Sequence, residues 1–321
     1  MAETLVDIAA IEAAAARVAD VVRRTPLVAT ELGTTGAPVW LKAESLQVGG
    51  SFKIRGATNA LRTADPAALA RGVVTHSSGN HAQAVARAAR ALGVAATVVM
   101  PVDAPTVKVD ATRAQGARIV LVEARDRAAA VERIQADTGA LFVPPFDHPA
   151  VIAGQGTVGL EVVADLPDVA TVYVPVSGGG LVSGIAAAVR DRAPGTRVVA
   201  VEPELAGDLA EGWSRGTRVT WDVARTGRTI ADGLRVPSVG ALPWAHIEAL
   251  VDDVVTVTEA QIEAALRATV LEAKLVCEPS GAVALAGCLA ASGSRPPGPA
   301  VAIVSGGNVD RDTLVRLLAL A

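Results

Sequence analysis

Short runs of Val, Ile and Ala end in small polar residues and lead directly into alanine-rich stretches, again and again along the 321 residues. Parallel strands need crossovers long enough to hold a helix, and strands covered on both faces read as continuous apolar runs. This rhythm constrains the fold more than any other feature: it predicts an α/β protein of open parallel sheets with helices on both faces. Strands are expected at 73–75, 96–100, 118–122, 172–176, 197–201 and 300–304. Helices are expected at 7–22, 81–92, 127–137, 181–192, 259–275, 280–291 and 311–318. No internal repeat is visible. Residues 293–299 read as a turn-rich linker and 206–228 as the least regular stretch. The chain is long for one core, so two lobes are expected, 72–149 and a larger one combining 1–71 with 150–321.

Composition removes several classes. Hydrophobic residues at 51% against 19% charged exclude disorder as the main state. Aromatics are only 2%, too few for a base-stacking platform, and the net charge is −4 without a basic block, so no nucleic-acid partner is expected. No uncharged apolar stretch reaches the roughly 18 residues of a membrane span, so no membrane partner is expected either. Residues 1–7 carry Glu3 and Asp7 and no basic n-region, which argues against a secretory signal and for a cytoplasmic location. Cys277 and Cys288 fall in what reads as one helical region and form no metal pattern; they are expected to be reduced, packed thiols.

Three strand–helix junctions are rich in small polar residues: Ser77-Ser78-Gly79-Asn80-His81, Ser177-Gly178-Gly179-Gly180 and Ser305-Gly306-Gly307-Asn308. In open parallel sheets ligands sit beyond the carboxyl ends of the strands, where helix N-termini aim amides at anions. The three junctions are expected to converge on one cleft. The glycine run can bring bare N–H groups to a phosphate. It also admits a rival reading: Gly178, Gly180 and Gly184 approximate a dinucleotide fingerprint, with Glu202 ending the next strand at ribose distance, as in an NAD(P)-binding oxidoreductase. The spacing departs from GxGxxG by one residue. A glycine turn with no ligand is a third reading. Further upstream, Gly49-Gly50-Ser51-Phe52-Lys53-Ile54-Arg55-Gly56 lacks the GK[ST] order of a P-loop. A desolvated lysine beside a flat ring suits Schiff-base chemistry with an aldehyde cofactor, and a surface lysine at a helix start is the plainer alternative.

Taken in order, Ser51-Phe52-Lys53-Ile54-Arg55-Gly56-Ala57, Ser77-Ser78-Gly79-Asn80-His81-Ala82-Gln83, Gly154-Gln155-Gly156-Thr157, Ser177-Gly178-Gly179-Gly180-Leu181 and Ser305-Gly306-Gly307-Asn308 resemble the serine/threonine dehydratase and serine racemase family. These are fold type II pyridoxal-phosphate enzymes related to the tryptophan synthase β-subunit, and the resemblance runs from about Thr25 to Asp310. It implies that 72–149 is a small substrate-loop domain and the rest a large cofactor-binding domain. It implies that Lys53 carries pyridoxal phosphate, that Phe52 packs on the pyridine ring and that Asn80 bonds the ring hydroxyl. The amides of Ser177, Gly178, Gly179, Gly180 and Leu181 would cradle the phosphate, although most relatives have glycine where this chain has Ser177. Ser305 would face the pyridine nitrogen; a neutral hydroxyl leaves a weaker electron sink, which suits elimination.

On the substrate side the resemblance implies that Ser77, Ser78, Asn80 and His81 meet the α-carboxylate, with Ser78 on the ring face opposite the lysine. The backbone of Gly233, in Ala231-Asp232-Gly233-Leu234, would lie near the reacting amine. For His81, support of the loop is an equally good reading. In the serine racemase branch a glutamate, an alanine carbonyl and an aspartate hold Mg²⁺ or Ca²⁺; here they would be Glu202, Ala206 and Asp208, which otherwise read as a solvated acidic loop. Arg125 and Arg127 lie near where some relatives carry an arginine for a second carboxylate, as in 3-hydroxyaspartate; exposed helix arginines are the plainer reading. The expected activity is pyridoxal-phosphate-dependent dehydration and deamination of a small hydroxy-amino acid, L-threonine or L-serine, to 2-oxobutanoate or pyruvate plus ammonia. Serine racemase and 3-hydroxyaspartate dehydratase are alternatives on the same site, and a ligand sensor is the non-catalytic one. The family implies a homodimer. With thirteen residues after Asn308, no regulatory domain is expected to follow.

Overall fold

The computed structural model describes residues 4–32, 38–104, 106–291 and 296–319. The expected linker at 293–299 therefore lies outside the described residues at 293–295, as do residues 1–3 of the opening segment. Among the described residues ten strands form two sheets: β1 (Leu27–Thr30), β2 (Val39–Ala43), β3 (Val73–His76), β4 (Ala96–Pro101), β5 (Arg118–Val122), β6 (Leu141–Phe142), β7 (Thr171–Pro175), β8 (Arg197–Pro203), β9 (Asp253–Val257) and β10 (Ala300–Val304). The larger sheet has the order β1-β2-β10-β7-β8-β9 and the smaller β5-β4-β3-β6. Every pairing is parallel except β1 with β2. Those two are separated by residues 31–38, too few for the dozen or more that a crossover requires.

The large sheet is buried on both faces, and side chains alternate between two cores as a period of two demands. Ala300, Ala302 and Val304 of β10 face one core with Tyr173 and Val201, under helix Pro279–Ala290. Val301 and Ile303 face the other with Val172, Val174 and Val198, under helix Gly180–Arg192. On the small sheet, Val73, Val98 and Met100 pack against Val85 and Ala89 of helix Asn80–Ala91. The same core takes in Ile54, Ala57 and Leu61 of helix Lys53–Thr63. The helix that opens on Lys53 therefore shares its core with a sheet whose strands begin twenty residues later.

Helix Lys53–Thr63 also packs closely on helix Pro149–Asp165. A Cβ on Gly154 would come within 2.6 Å of the Gly56 Cα. On the next turn a Cβ on Gly184 would meet the Gly156 amide at 2.4 Å. The Gly154-Gln155-Gly156 motif and Gly184 thus serve the contact of three helices. A buried ion cluster anchors the same helix. Arg55, 0% exposed, bonds both oxygens of Glu44 (2.8 Å each) and both of Glu161 (2.7 and 2.9 Å). Lys42 Nζ joins Glu161 at 2.6 Å, so two cations face two carboxylates without net charge.

Within the stretch 206–228, Asp208–Arg215 is a helix, closed by Gly216 at φ +65°. One local expectation is corrected: Cys277 lies outside the helix that holds Cys288, because Pro279 occupies its first turn. Both thiols are buried. Among the described residues no helix is long and apolar enough to cross a membrane.

Candidate active site

The lysine loop reaches its place through a glycine turn. Gly49 and Gly50 adopt φ +80° and +76°, a left-handed conformation that favours glycine. The turn is tied to the end of β10: Phe52 donates its amide to the Ser305 carbonyl (3.1 Å) and Gly307 to the Gly50 carbonyl (2.9 Å). Lys53 opens helix Lys53–Thr63 immediately afterwards. Its Nζ donates to the Pro145 carbonyl at 2.9 Å and lies 5.0 Å from the centre of the Phe52 ring. Burial lowers its pKa from an ordinary 10.5 to about 8. The amine is half-buried and neighbours the ring, as a Schiff-base lysine requires.

The glycine run follows β7 and opens helix Gly180–Arg192, whose first amides have no acceptor within the helix. Gly179 adopts φ +89°, and a Cβ on Gly178 would overlap the Phe146 ring at 2.1 Å. Phe146 therefore seats directly on the loop. Ser177 is half-buried, and its Oγ accepts from the Val236 amide at 3.2 Å. Leu181 is buried in the core below. The dinucleotide alternative loses both distinguishing residues. Gly184 is spent on helix packing, and buried Glu202 accepts from the amides of Leu209 (3.3 Å) and Ala210 (2.9 Å).

At the end of β3, Ser77 Oγ accepts from the Gly79 amide at 3.2 Å and turns the chain into helix Asn80–Ala91. Ser77 and Ser78 are half-buried, and a Cβ on Gly79 would meet nothing within 4 Å, so the loop borders open space. His81, at 3% exposure, is packed inward with Nε2 3.0 Å from the Val143 carbonyl, which fits the loop-supporting reading of its side chain. Burial, and then the charge of Lys53, push its pKa down to about 3, so the ring is neutral. What His81 can offer a substrate is a backbone amide in the first turn. Arg125 is exposed, and Arg127 bonds the Ala124 carbonyl (3.0 Å) on the helix that opens there. The exposed-arginine reading fits Arg125, while Arg127 is half-buried and bonded within its own turn.

Ser305 is buried at the end of β10, its Oγ 3.5 Å from the Ser280 carbonyl. Gly233 directs its amide at Ser280 Oγ (2.9 Å), which leaves its carbonyl as the group available to an amine. Sequence reasoning missed Ser280, Glu278 and the segment 143–148. That segment supplies the Pro145 carbonyl to Lys53 and Phe146 to the glycine loop, while Asp147 caps helix Ala241–Leu250 through Ala241 and Leu242 (3.0 Å each). The signal that could have found it is Pro144-Pro145-Phe146-Asp147-His148-Pro149, an aromatic and two polar residues between prolines, just before a glycine-rich helix. Two of the three junctions meet directly with the lysine loop, and the glycine run reaches them through Pro145 and Phe146. Asn308 Nδ2 donates to Asn80 Oδ1 at 2.7 Å, and Ser51 bridges Gly306.

Glu202 and Asp208 come together at the far end of β8, with Ala206 in the 3₁₀ turn between them. Both acids are buried, and both oxygens of Asp208 lack a hydrogen-bond partner. Burial, and then the charge of Asp208, hold Glu202 well above the ordinary carboxylate range; burial pushes Asp208 up to about 7. Among the described residues no three His, Cys, Asp or Glu side chains are placed to share an ion. A cation here would take two carboxylates, a carbonyl and water. The unpartnered Asp208 carboxylate beside buried Glu202 fits such an ion.

Two parallel sheets meeting over a desolvated lysine, with a glycine-lined helix N-terminus opposite, define a cofactor enzyme of α/β architecture that can hold an aldehyde bearing a phosphate. Comparison with known proteins gives the same class. The family described as "Pyridoxal-phosphate dependent enzyme" matches residues 18–306. L-threonine ammonia-lyase of Geobacter sulfurreducens is 45% identical over 297 residues, covering 91% of this chain and 73% of that protein. Serine racemase of Oryza sativa subsp. indica is 40% identical over 317 residues, covering 96% and 92%. The solved structure of maize serine racemase superposes with a TM-score of 0.91 at 39% identity, covering 98% of this chain and 97% of that one. This chain belongs to the pyridoxal-phosphate dependent enzyme family, and its fold is that of the fold type II members.

Proposed function

We propose that this enzyme dehydrates and deaminates L-threonine or L-serine, releasing 2-oxobutanoate or pyruvate and ammonia. The observation that carries the reading is Lys53: an amine brought to a pKa of about 8, beside the Phe52 ring and on the loop that is tied to the end of β10. The resemblance to L-threonine ammonia-lyase supports the reaction class. Bound pyridoxal phosphate supplies the electron sink that acidifies the substrate Cα–H.

The chain supplies the rest. Lys53 holds the cofactor and, once displaced by the substrate amine, is the free base that takes the Cα proton. The amides of Ser177, Gly178, Gly179, Gly180 and Leu181 hold the phosphate at the positive end of helix Gly180–Arg192. Phe52 flanks the ring, Asn80 donates to its hydroxyl, and Ser305 faces its nitrogen without supplying a charge. The amides of 77–81 take the α-carboxylate, and the Gly233 carbonyl orients the amine. The Cα proton and the β-hydroxyl leave together as water, and the enamine hydrolyses to the 2-oxo acid and ammonia. Half-buried Ser78, if it lies on the ring face opposite Lys53 as the resemblance implies, would add a proton donor on the second face and with it some racemisation. Glu202, the Ala206 carbonyl and Asp208 would hold Mg²⁺ or Ca²⁺.

We read 72–149 as the substrate-loop domain and 1–71 with 150–321 as the cofactor domain of a cytoplasmic homodimer. Reduction of the holoenzyme with borohydride, followed by peptide mapping, tests the core of the proposal. The label belongs on Lys53, and a label elsewhere refutes it. Incubation with L-threonine, L-serine and 3-hydroxyaspartate, assayed for 2-oxo acid and for D-serine with and without chelator, then settles the substrate. Failure to turn over any hydroxy-amino acid would leave a sensor.

A further inference from the structure

The seam between the sheets holds a buried acid that the reaction above does not use. Glu278 immediately precedes helix Pro279–Ala290 and is 6% exposed. Its Oε1 accepts from Asn80 Nδ2 at 2.6 Å, across the seam from the small-sheet side. Asn80 Oδ1 accepts from Asn308 Nδ2 at 2.7 Å, and the same Nδ2 donates to the Gly49 carbonyl at 2.8 Å. A backbone carbonyl can only accept, so Gly49 decides which end of the Asn308 amide faces it. Asn308 then presents N–H to Asn80, which must answer with its oxygen and turn its own NH₂ toward Glu278. A flipped Asn80 would set its NH₂ against the NH₂ of Asn308.

The backbone is shaped around this acid. The Glu278 amide donates to the Gly306 carbonyl at 3.1 Å, and a Cβ on Gly306 would fall 2.5 Å from Glu278 Oε1. Only a bare residue at 306 leaves the carboxyl its place. The charged groups that act on Glu278 are Asp232 and Lys108, which are themselves an ion pair.

We propose that Glu278, with Asn308 behind it, is a positioning residue that locks the Asn80 amide across the seam, so that its second N–H is held for the ring oxygen of the cofactor. The inference rests on the proposed role of Asn80. Glu278 acts through Asn80 and touches neither substrate nor cofactor in this role. An acceptor oxygen suffices, so glutamine can replace it.

The test uses holoenzyme carrying pyridoxal phosphate and reads the absorbance band of the bound cofactor and the cofactor Kd. Losing the acceptor frees Asn80 to rotate and strands a buried donor, and about tenfold weaker retention follows. Glu278→Ala is expected to shift the band and weaken retention to that extent, while Glu278→Gln restores both. Asn308→Ala leaves Glu278 intact and is expected to shift the band in the same sense; it serves where Glu278→Ala does not fold. In an Asn80→Ala background, Glu278→Ala is expected to add nothing. An altered Asn80→Ala spectrum with an unchanged Glu278→Ala spectrum overturns this inference alone, as does a shift of equal size in both backgrounds. An unchanged Asn80→Ala spectrum overturns the assignment of Asn80 itself, and this inference with it.

Discussion

Apoprotein should recapture pyridoxal phosphate at a rate that climbs with pH only as far as about pH 8. The attacking group is the free amine of Lys53, whose pKa burial lowers from 10.5 to about 8. At pH 7 an amine of pKa 8 is about 9% free base, whereas one of pKa 10.5 is about 0.03%, a difference of about 300-fold. The logarithm of the rate should therefore rise with unit slope below pH 8 and flatten above it. Stopped-flow absorbance on mixing apoprotein with cofactor between pH 6.5 and 9.5 measures this, with Nα-acetyl-lysine as the solvated reference that keeps rising. The sign for stability follows. The unfolded chain keeps the Lys53 proton up to pH 10.5 and the folded chain only up to about 8, so the burial penalty is full below pH 8 and is relieved as pH rises through that window. A rate still climbing tenfold per pH unit at 9.5 would refute the desolvated-amine argument.

Gly178→Ala would drive a methyl into the Phe146 ring, so it should cost about 1–3 kcal/mol in urea unfolding and at least about tenfold in cofactor Kd. Arg55→Ala strands Glu44 in the interior and leaves Glu161 to Lys42 alone; it should cost about 3–5 kcal/mol by the same assay, whereas removal of an exposed pair would barely register. Mg²⁺ or Ca²⁺ at about 100 times its Kd should stabilise the protein by about 2.7 kcal/mol, and Asp208→Asn should abolish that gain in calorimetry. Lys108→Ala breaks the part-exposed ion pair with Asp232 that spans the two sheets. Global stability should change by less than about 1 kcal/mol, while hydrogen exchange in helix Thr106–Ala114 should quicken.

Much of the fold was legible because parallel strands covered on both faces leave unbroken apolar runs. The expected strand at 300–304 coincides with β10, and that at 118–122 with β5. β1 and β9 escaped notice because they are the outer strands of the large sheet and only partly buried, so their apolar signal is weak. Helix Lys53–Thr63 was visible only as a helix start at the lysine, since Gly56 and the polar side chains of Arg55, Thr58 and Asn59 do not announce burial. Only the structure shows that the glycine accommodates helix Pro149–Asp165 and that Arg55 is neutralised by Glu44 and Glu161.

The residues around Lys53 announced themselves in the chain because small polar junctions after apolar runs, and a lysine beside a phenylalanine, are unusual locally. Those are properties of neighbours in sequence, and one chain displays them. Pairings between distant residues have no such signature. The meeting of Asn80 with Glu278, of Lys53 with the Pro145 carbonyl, and of Phe146 with Gly178 joins residues 198, 92 and 32 positions apart. The inward turn of His81 belongs to the same kind: each polar group takes its partner from another element, so burial, charge and orientation are decided only when the two sheets close on one another.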